Sequence, residues 1–400
     1  NKSDLIIQKK NVEEHLVFGL FEKIYQLSFR ALLSEYEDLK SNGYLNESDE
    51  KSNQTKFDLL ITTDDFINDF FDKYRELYNI VNMKMQQFVT FVEEIVSNTE
   101  KNIDNINKYL NCNVSELVQI ELSAGDTHNR GRSVCILHFN QGTKIVYKPR
   151  DFGAEKAFDQ IVQYLNDSPI EHFLKLKTCK FYSTDGCGWV EYIDHSAVDQ
   201  EQEINYYYKK MGELLCILYL LNAKDFHAEN VICCGAYPYL VDLETLLHAS
   251  FFKDGVVIEG ACNDALNYVD DSVLKTGLLP VQLINPKTNI MIEIGAMGMS
   301  GQQESPFLVT EASVNSNGEI VFHKKHETIN FCCCHPSLNN KYIDAVLYID
   351  DVIDGFKITY AYISKEKEKF SLLVKKAFSN VVGRIILRST NIYTQLIETS

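Results

Sequence analysis

Positive charge and long apolar runs are both scarce in this chain. Lysine and arginine together number 39, against 56 aspartates and glutamates, which gives a net charge of −17. This surplus disfavours non-specific binding to nucleic acid or to anionic membranes, so an anionic ligand has to meet a local cationic pocket. The longest uninterrupted apolar run extends only from Leu214 to Leu221. Such a run is far shorter than the ~20 residues that cross a bilayer, and we expect no membrane span.

We also expect no signal peptide, although the chain contains eleven cysteines. Cysteines without an export signal indicate free thiols in a reducing compartment, so we expect a cytoplasmic protein. The hydrophobic fraction of 45% and the charged fraction of 24% are ordinary for a soluble globular protein. Because the chain begins at Asn1 and ends within an apparently structured segment, we expect a fragment of a larger protein.

Residues suited to chemistry are concentrated near the middle of the chain, in Asp225–Asn230 and Val241–Thr245. Between them, Val231–Cys234 and Tyr239–Val241 flank a Gly-Ala-Tyr-Pro turn, which predicts a β-hairpin. A loop, a hairpin and an acid in this order bring a carboxylate, an amide and a second carboxylate to one point. Phosphoryl transfer requires this set, because one Asp accepts the proton of the acceptor while Asn and the second Asp hold Mg²⁺.

Protein kinases use the same order of groups, but two of their signatures are absent here. No His-Arg-Asp precedes the loop, and Asp242-Leu243-Glu244 stands where kinases have Asp-Phe-Gly. A single Asp or Asn in a turn is most often a local cap. Three such groups in kinase order are harder to explain as caps, so we interpret them as a candidate phosphoryl-transfer site.

The first part of the chain shows helical periodicity. Leu16, Leu20 and Ile24 recur on one face, with Val17 and Phe21 beside them, which predicts an apolar stripe. Residues 41–57 are polar and are predicted to form a loop. Thr63 followed by two aspartates predicts the start of a further helix. Nothing in this part indicates chemistry, so we expect it to serve packing.

From Leu117 onwards the pattern alternates between apolar and polar residues. Segments 117–122, 133–139 and 143–148 therefore predict a three-stranded antiparallel meander. Lys148 ends the third strand, where kinases keep the lysine that holds nucleotide phosphates.

Three further segments complete a kinase-like order. Ser123–Arg132 occupies the position of a phosphate-covering loop, although it lacks a Gly-x-Gly-x-x-Gly pattern. A helix is predicted after Lys148, with Glu155 as a candidate partner of that lysine and Asp126 as the other. The apolar helix Tyr206–Leu221 then leads into the central loop, and kinases have the same succession of helix, loop, hairpin and metal-binding acid.

Together these motifs resemble the dehydratase domain of class II lanthipeptide synthetases, the LanM type. The resemblance rests on six segments in the family's order: Ser123–Arg132, Val146–Arg150, Asp225–Asn230, Val241–Thr245, Ser272–Pro280 and Arg384–Tyr393. It implies an α+β fold with a lipid-kinase-like two-lobe core. A helical region over residues 1–115 would precede an antiparallel N-lobe over 116–200 and a helical C-lobe over 201–400.

The resemblance also implies an activity. The family phosphorylates Ser and Thr of a ribosomal precursor peptide, which carries a leader, with ATP and Mg²⁺. The same pocket then eliminates phosphate and leaves dehydroalanine or dehydrobutyrine. Zinc is expected only in the cyclase domain that follows in the family, and no nucleic-acid partner is expected.

The resemblance assigns the family's phosphorylation residues to the matching motif positions of this chain. Lys148 would contact nucleotide phosphates, and Asp225 would be the acid/base of phosphorylation, with His227 supporting its loop. The metal ligands would come from the same two segments: Asn230, Asp242 and the nearby Glu244.

The elimination residues carry over in the same way. Asp126 and His128 match active-site positions, and His128 would also assist elimination. Arg384 and Thr390 match the residues of the second step. Arginine suits this step because its fixed donors match phosphate oxygens two at a time.

Two other functions fit parts of the sequence. A plain kinase of a peptide or small-molecule hydroxyl shares the first-step residues but leaves Arg384 and Thr390 unexplained. A non-catalytic, kinase-like peptide-binding scaffold would not need the complete set of acid, amide and acid. The run Cys332–His335 suggests a metal site, but adjacent cysteines do not easily face one tetrahedral ion.

Overall fold

The computed structural model describes residues 5–46, 49–122, 129–247, 264, 268–285, 288–314 and 320–383. The chain divides into two compact units. The first unit comprises residues 1–150, 180–192 and 308–325, and the second comprises 151–179, 193–307 and 326–400. Both contain helices and strands. The predicted boundaries near residues 115 and 200, and the kinase-like two-lobe core, stay predictions.

Four helices form the N-terminal part of the first unit: α1 Lys9–Ser41, α2 Glu50–Leu60, α3 Asp64–Lys73 and α4 Arg75–Leu110. The predicted start of α3 is confirmed, because the Thr63 hydroxyl accepts a hydrogen bond from the Phe66 amide. The predicted loop over residues 41–57 is wrong from Glu50 onwards. There Asp49 caps α2 by accepting from the Ser52 amide, and the Phe57 ring is buried in a small core.

The apolar stripe predicted for α1 is only partly buried. Leu16 lies in the core of the first unit, whereas Val17 is 66% exposed and Phe21 is 61% exposed. Helix α1 packs against α4, whose buried face includes Ile95, Ile103 and other residues at helical spacing.

The first unit also holds a six-stranded sheet in the order β1-β2-β3-β4-β6-β5. Its strands are β1 Ile6–Ile7, β2 Glu116–Glu121, β3 Cys135–Phe139, β4 Lys144–Lys148, β5 Phe181–Thr184 and β6 Cys187–Glu191. The predicted antiparallel meander is confirmed as β2-β3-β4. Trp189 is fully buried, and its indole Nε1 donates to the Thr99 hydroxyl of α4 at 3.1 Å. This bond joins the sheet to the helix.

The second unit is built around α6 Glu201–Leu220, with α5 Gly153–Asp167, α7 Ile349–Lys365 and α8 Lys367–Ala377. Helices α6 and α7 approach so closely that glycine is required at the crossing. A Cβ on Gly212 would lie 1.9 Å from the Val352 carbonyl oxygen, and one on Gly355 would lie 2.0 Å from that of Lys209. Most of α6 is therefore enclosed.

Short strands pair around this helical core. The predicted hairpin is confirmed as β7 Val231–Cys234 and β8 Tyr237–Leu240, with the turn at Gly235-Ala236. The other short pairs are β9 Gln282–Ile284 with β10 Met291–Glu293, and β13 Ser337–Leu338 with β14 Lys341–Tyr342. The longer pair, β11 Gly301–Val314 with β12 Ile320–Phe331, has residues in both units. No helix in the described part of the chain is both long and apolar enough to cross a membrane.

Candidate active site

The loop Asp225–Asn230 follows the end of α6 and alternates between buried and accessible side chains. Phe226 and Ala228 are buried, whereas Asp225 and Glu229 are exposed. The amides of the two buried residues are bound from two sides. The Phe226 amide donates to the Thr276 carbonyl at 2.8 Å, and the Ala228 amide donates to the Ile294 carbonyl at 2.9 Å. The loop is thus fixed by its main chain, and its polar side chains are presented outwards.

Gly277 allows one of these two supports to come close. It ends a short 3-10 turn over Val273–Thr276 with φ at +80°, a conformation that favours glycine. A Cβ at this position would lie 3.0 Å from the Phe226 backbone nitrogen. The motif Ser272–Pro280 therefore serves at least as a backbone support for the loop.

Asp225 itself has a backbone conformation that is uncommon for a residue with a side chain. Its φ is +68°, in the left-handed region. The Asn230 side-chain amide donates to the Asp225 carbonyl oxygen at 2.8 Å and closes the loop around this residue. Non-glycine residues held in such conformations cluster at functional sites, because the surrounding structure must offset the strain.

His227 lies between the loop backbone and the Asp225 carboxylate. Its Nδ1 accepts a hydrogen bond from the Glu229 amide at 3.3 Å, so the neutral ring carries its proton on Nε2. That Nε2 is 3.5 Å from Asp225 Oδ1. The main chain of His227 also forms an isolated bridge with Gly295. The ring is therefore placed to orient the carboxylate of Asp225.

The segment Val241–Leu247, which we call the Asp242 segment, adjoins this loop. The Val241 amide donates to the Asn230 carbonyl at 3.1 Å, and the Thr245 hydroxyl donates to the Lys224 carbonyl. Asp242 Oδ1 accepts from the Glu244 amide at 3.1 Å. The hairpin thus returns the chain to the loop, and Asp242 follows directly after the bond to Asn230.

The donors gathered here fit a hard cation. Because the Asn230 side-chain nitrogen is bound to Asp225, its amide oxygen is the atom that would face a metal. Asp242 and Glu244 add carboxylate oxygens, and Mg²⁺ prefers such oxygen ligands. In the described part of the chain no group of three or more His, Cys, Asp or Glu residues is placed to hold a metal by itself. An ion here would draw its other ligands from nucleotide phosphates and water.

The remaining predicted residues fall into two groups. Lys148 is the last residue of β4, in the first unit, and pairs with Gly188. Its side chain is buried, and so is that of Glu155 in the first turn of α5, in the second unit. Charged side chains are rarely buried unless they are paired. The second group lies outside the described residues: Asp126, His128, Arg384 and Thr390.

Little in the sequence indicates the groups that support the site. The acceptors at Thr276 and Ile294 are backbone carbonyls, which any residue type provides. Only the neighbouring glycines, Gly277 after Thr276 and Gly295 after Ile294, can be recognised in the sequence as positions of close backbone approach. A Cβ on Gly295, for example, would lie 2.1 Å from the Leu279 carbonyl oxygen.

The cysteine run also borders the hairpin. Cys332, Cys334 and His335 are buried, whereas Cys333 is exposed. The Cys333 carbonyl accepts from the Cys233 amide of β7 at 2.7 Å. Burial raises the pKa of the Cys334 thiol to about 12, so it is protonated at neutral pH. In this setting the run braces β7.

Comparison with known proteins gives two matches. The family described as a domain of unknown function (DUF4135) matches residues 74–400. Lacticin 481/lactococcin biosynthesis protein LcnDR2 of Lactococcus lactis subsp. lactis is 28% identical to this chain over 341 residues. The matched part covers 82% of this chain and 36% of that relative, so the chain spans little more than a third of the relative's length.

Proposed function

The chain belongs to the DUF4135 family and is of the class II lanthipeptide synthetase (LanM) type, and on that premise we propose that it dehydrates a precursor peptide. The reaction has two steps. A Ser or Thr hydroxyl of the peptide is first phosphorylated with ATP and Mg²⁺, and the phosphate is then eliminated. The products are a dehydroalanine or dehydrobutyrine residue, ADP and phosphate.

One observation carries this proposal: hydrogen bonds join Asn230 both to Asp225 and to the residue before Asp242. The Asn230 side chain is bound to the Asp225 carbonyl at 2.8 Å, and Val241, the neighbour of Asp242, is bound to the Asn230 carbonyl at 3.1 Å. A cap or a simple turn needs only one of these groups. Phosphoryl transfer uses all three, one for the proton and two for the metal.

In the first step the residues of this chain handle a proton and position an ion. Asp225 takes the proton of the attacking hydroxyl, while His227 Nε2 keeps the carboxylate oriented. The Asn230 amide oxygen and the Asp242 carboxylate would hold Mg²⁺, which neutralises charge on the phosphates when it is bound. The new bond joins the hydroxyl oxygen to phosphorus, and the bond to the ADP leaving group breaks. By resemblance, Lys148 is assigned to the nucleotide phosphates.

In the second step a base removes the Cα proton of the phosphorylated residue. The electron pair forms the double bond between Cα and Cβ, and the bond between Cβ and the phosphate oxygen breaks. Negative charge accumulates on the departing phosphate, and by resemblance Arg384 and Thr390 stabilise it. His128 is assigned to the same step.

Mass spectrometry of a candidate precursor peptide, incubated with the full natural protein and Mg-ATP, separates the candidates. A dehydratase gives a net loss of one water per modified residue. A plain kinase gives only the mass gain of a phosphate, and a non-catalytic scaffold changes nothing and hydrolyses no ATP.

Arg384→Met tests the division between the two steps. We expect phosphopeptide to accumulate, because removing an electrostatic stabiliser costs on the order of 10²–10³ in rate. Thr390→Ala should show the same defect more mildly. Arg388→Met is the matched control, since this nearby arginine matches no elimination residue of the family. If Arg384→Met loses phosphorylation as well, or dehydrates at the parent rate, the assignment of this residue to the second step is wrong.

A further inference from the structure

The two proposed metal ligands on the hairpin side of the site, Asn230 and Asp242, are separated by the whole β7–β8 hairpin. Each strand has four residues, so the turn at Gly235-Ala236 lies roughly 13 Å from them at ~3.3 Å per residue. An isolated two-stranded hairpin is at best marginally stable in water. The position of its two ends therefore depends on what holds the hairpin in place.

Lys210 of α6 holds the turn. Its Nζ donates to the Ala236 carbonyl at 2.8 Å and lies 4.0 Å from the centre of the Tyr237 ring. Lys177 lies 3.7 Å from the centre of the same ring. A cation at this distance from an aromatic face is attracted by the ring quadrupole, and burial strengthens the attraction.

Packing alone does not explain a lysine at position 210. The side chain is only 5% exposed, and burial lowers its pKa to about 8. An apolar residue of similar length would fill the same space without this desolvation cost. Glu213, three residues further along α6, is also fully buried, and burial raises the pKa of its carboxyl to about 8. This carboxyl accepts from the Leu174 amide at 2.7 Å.

The other bonds to the hairpin act on the turn backbone, one strand and the base. The Ser196 carbonyl accepts from the Gly235 amide of the turn, and the Ser196 amide donates to the Cys233 carbonyl of β7. The Cys179 thiol donates to the Leu240 carbonyl of β8. Among the described side chains, Lys210 is the one whose hydrogen bond to the turn comes from the central helix.

We propose that Lys210 is a positioning residue for the metal site: by fixing the turn against α6, it sets the relative positions of Asn230 and Asp242. This inference rests on the proposed function, because the two ends of the hairpin matter only if they bind Mg²⁺. Lys210 is distant from the reacting groups, and it matches none of the family motifs described above.

Hydrogen exchange tests the mechanical part of the proposal without reference to activity. In the full natural protein, Lys210→Met should speed exchange of the 231–241 amides roughly fivefold, because it removes a buried hydrogen bond to the turn. Lys210→Arg keeps a cation and donors, so it should recover most of the protection. Lys209→Met is the matched control, because Lys209 pairs instead with Asp354 of α7 at 2.7 Å. Equal protection in Lys210→Met and Lys209→Met would overturn the proposal.

Binding of Mn²⁺, a spectroscopic substitute for Mg²⁺, tests the functional part. With a non-hydrolysable ATP analogue present, electron paramagnetic resonance should show that Lys210→Met needs roughly tenfold more Mn²⁺ for half-saturation, as for other residues that orient metal ligands. Lys210→Arg should shift less, and Lys209→Met should not shift. If Lys210→Met does not fold, Tyr237→Leu removes the ring contact of Lys210 from the hairpin side and should give a smaller shift in the same direction.

The outcomes separate the two proposals. A parent protein that binds no Mn²⁺ with the analogue contradicts the proposed function and, with it, the assignment of Lys210 to a metal site. If the parent binds Mn²⁺ and the Lys210→Met variant binds it equally well, only the positioning role of Lys210 is contradicted.

Discussion

The Asp225–Asn230 loop and the Asp242 segment meet at the same site, but they are held in different ways. The loop is bound to the surrounding unit at Phe226 and Ala228, through carbonyls of residues far along the chain. The Asp242 segment is bound to the loop and its approach, through Asn230 and Lys224, and also to the end of α6, where the Leu247 amide donates to the Leu221 carbonyl at 2.8 Å. The loop therefore has its supports in distant segments, whereas the Asp242 segment depends partly on the loop.

This difference suggests a division of labour. An acid that accepts a proton has to meet the hydroxyl at a fixed distance, so its backbone has to be rigid. A metal-binding acid tolerates small shifts better, because Mg²⁺ keeps several waters that can adjust. Changes in the loop should therefore affect the chemical step, and changes in the Asp242 segment should affect metal affinity.

Asp225→Asn should have the largest effect, and it tests whether the loop serves the chemical step. The amide cannot accept the hydroxyl proton, so the rate of phosphorylation should fall by ~10²–10⁴. Mg²⁺ affinity should change little, because the Asp225 contact to Asn230 is made by its backbone carbonyl. Single-turnover phosphorylation at saturating Mg-ATP measures the rate. A folded variant that phosphorylates at a near-normal rate would remove Asp225 from this role.

Asp242→Ala should instead weaken Mg²⁺ binding more than it slows the chemical step. We expect the Mg²⁺ concentration for half-maximal phosphorylation to rise by more than ~10-fold, while the affinity for the peptide changes little. Glu229→Ala is the control, since Glu229 is an exposed acid of the loop that is assigned no metal role. The measurement is a Mg²⁺ titration at fixed ATP, combined with peptide binding followed by fluorescence anisotropy. An unchanged Mg²⁺ requirement would contradict the metal assignment.

The two segments also differ in how far the sequence predicts them. The order of Asp, Asn and Asp, and the hairpin between them, can be predicted from short stretches of sequence. These local patterns do not depend on the rest of the fold. The ties to Thr276 and Ile294 do not, because backbone carbonyls have no side-chain signature. Lys210 was missed for a related reason: a lysine within a helical pattern is normally solvated, and only its burial shows its contact with the turn.

The same limit appears in the first unit. The polar composition around Glu50 predicted a loop, although the Asp49 cap and the burial of Phe57 make it a helix. Periodicity along α1 placed Val17 and Phe21 beside the buried stripe, but it could not decide which part of a broad apolar surface faces the core. Tertiary packing makes that choice.

Thr245→Val should have the smallest effect, and it tests the link between the two segments directly. The substitution keeps the shape of the side chain but removes the hydroxyl that donates to the Lys224 carbonyl, immediately before Asp225. A hydrogen bond of this kind contributes about 1 kcal/mol, so the Mg²⁺ requirement should rise roughly fivefold at most. The rate at saturating Mg²⁺ should be unchanged, because Phe226 and Ala228 still fix the loop. Thr245→Ser restores the donor and should behave like the parent in the same titration. If Thr245→Val instead lowers the saturated rate, the loop depends on the Asp242 segment as much as the segment depends on the loop, and the hierarchy drawn from their hydrogen bonds is wrong.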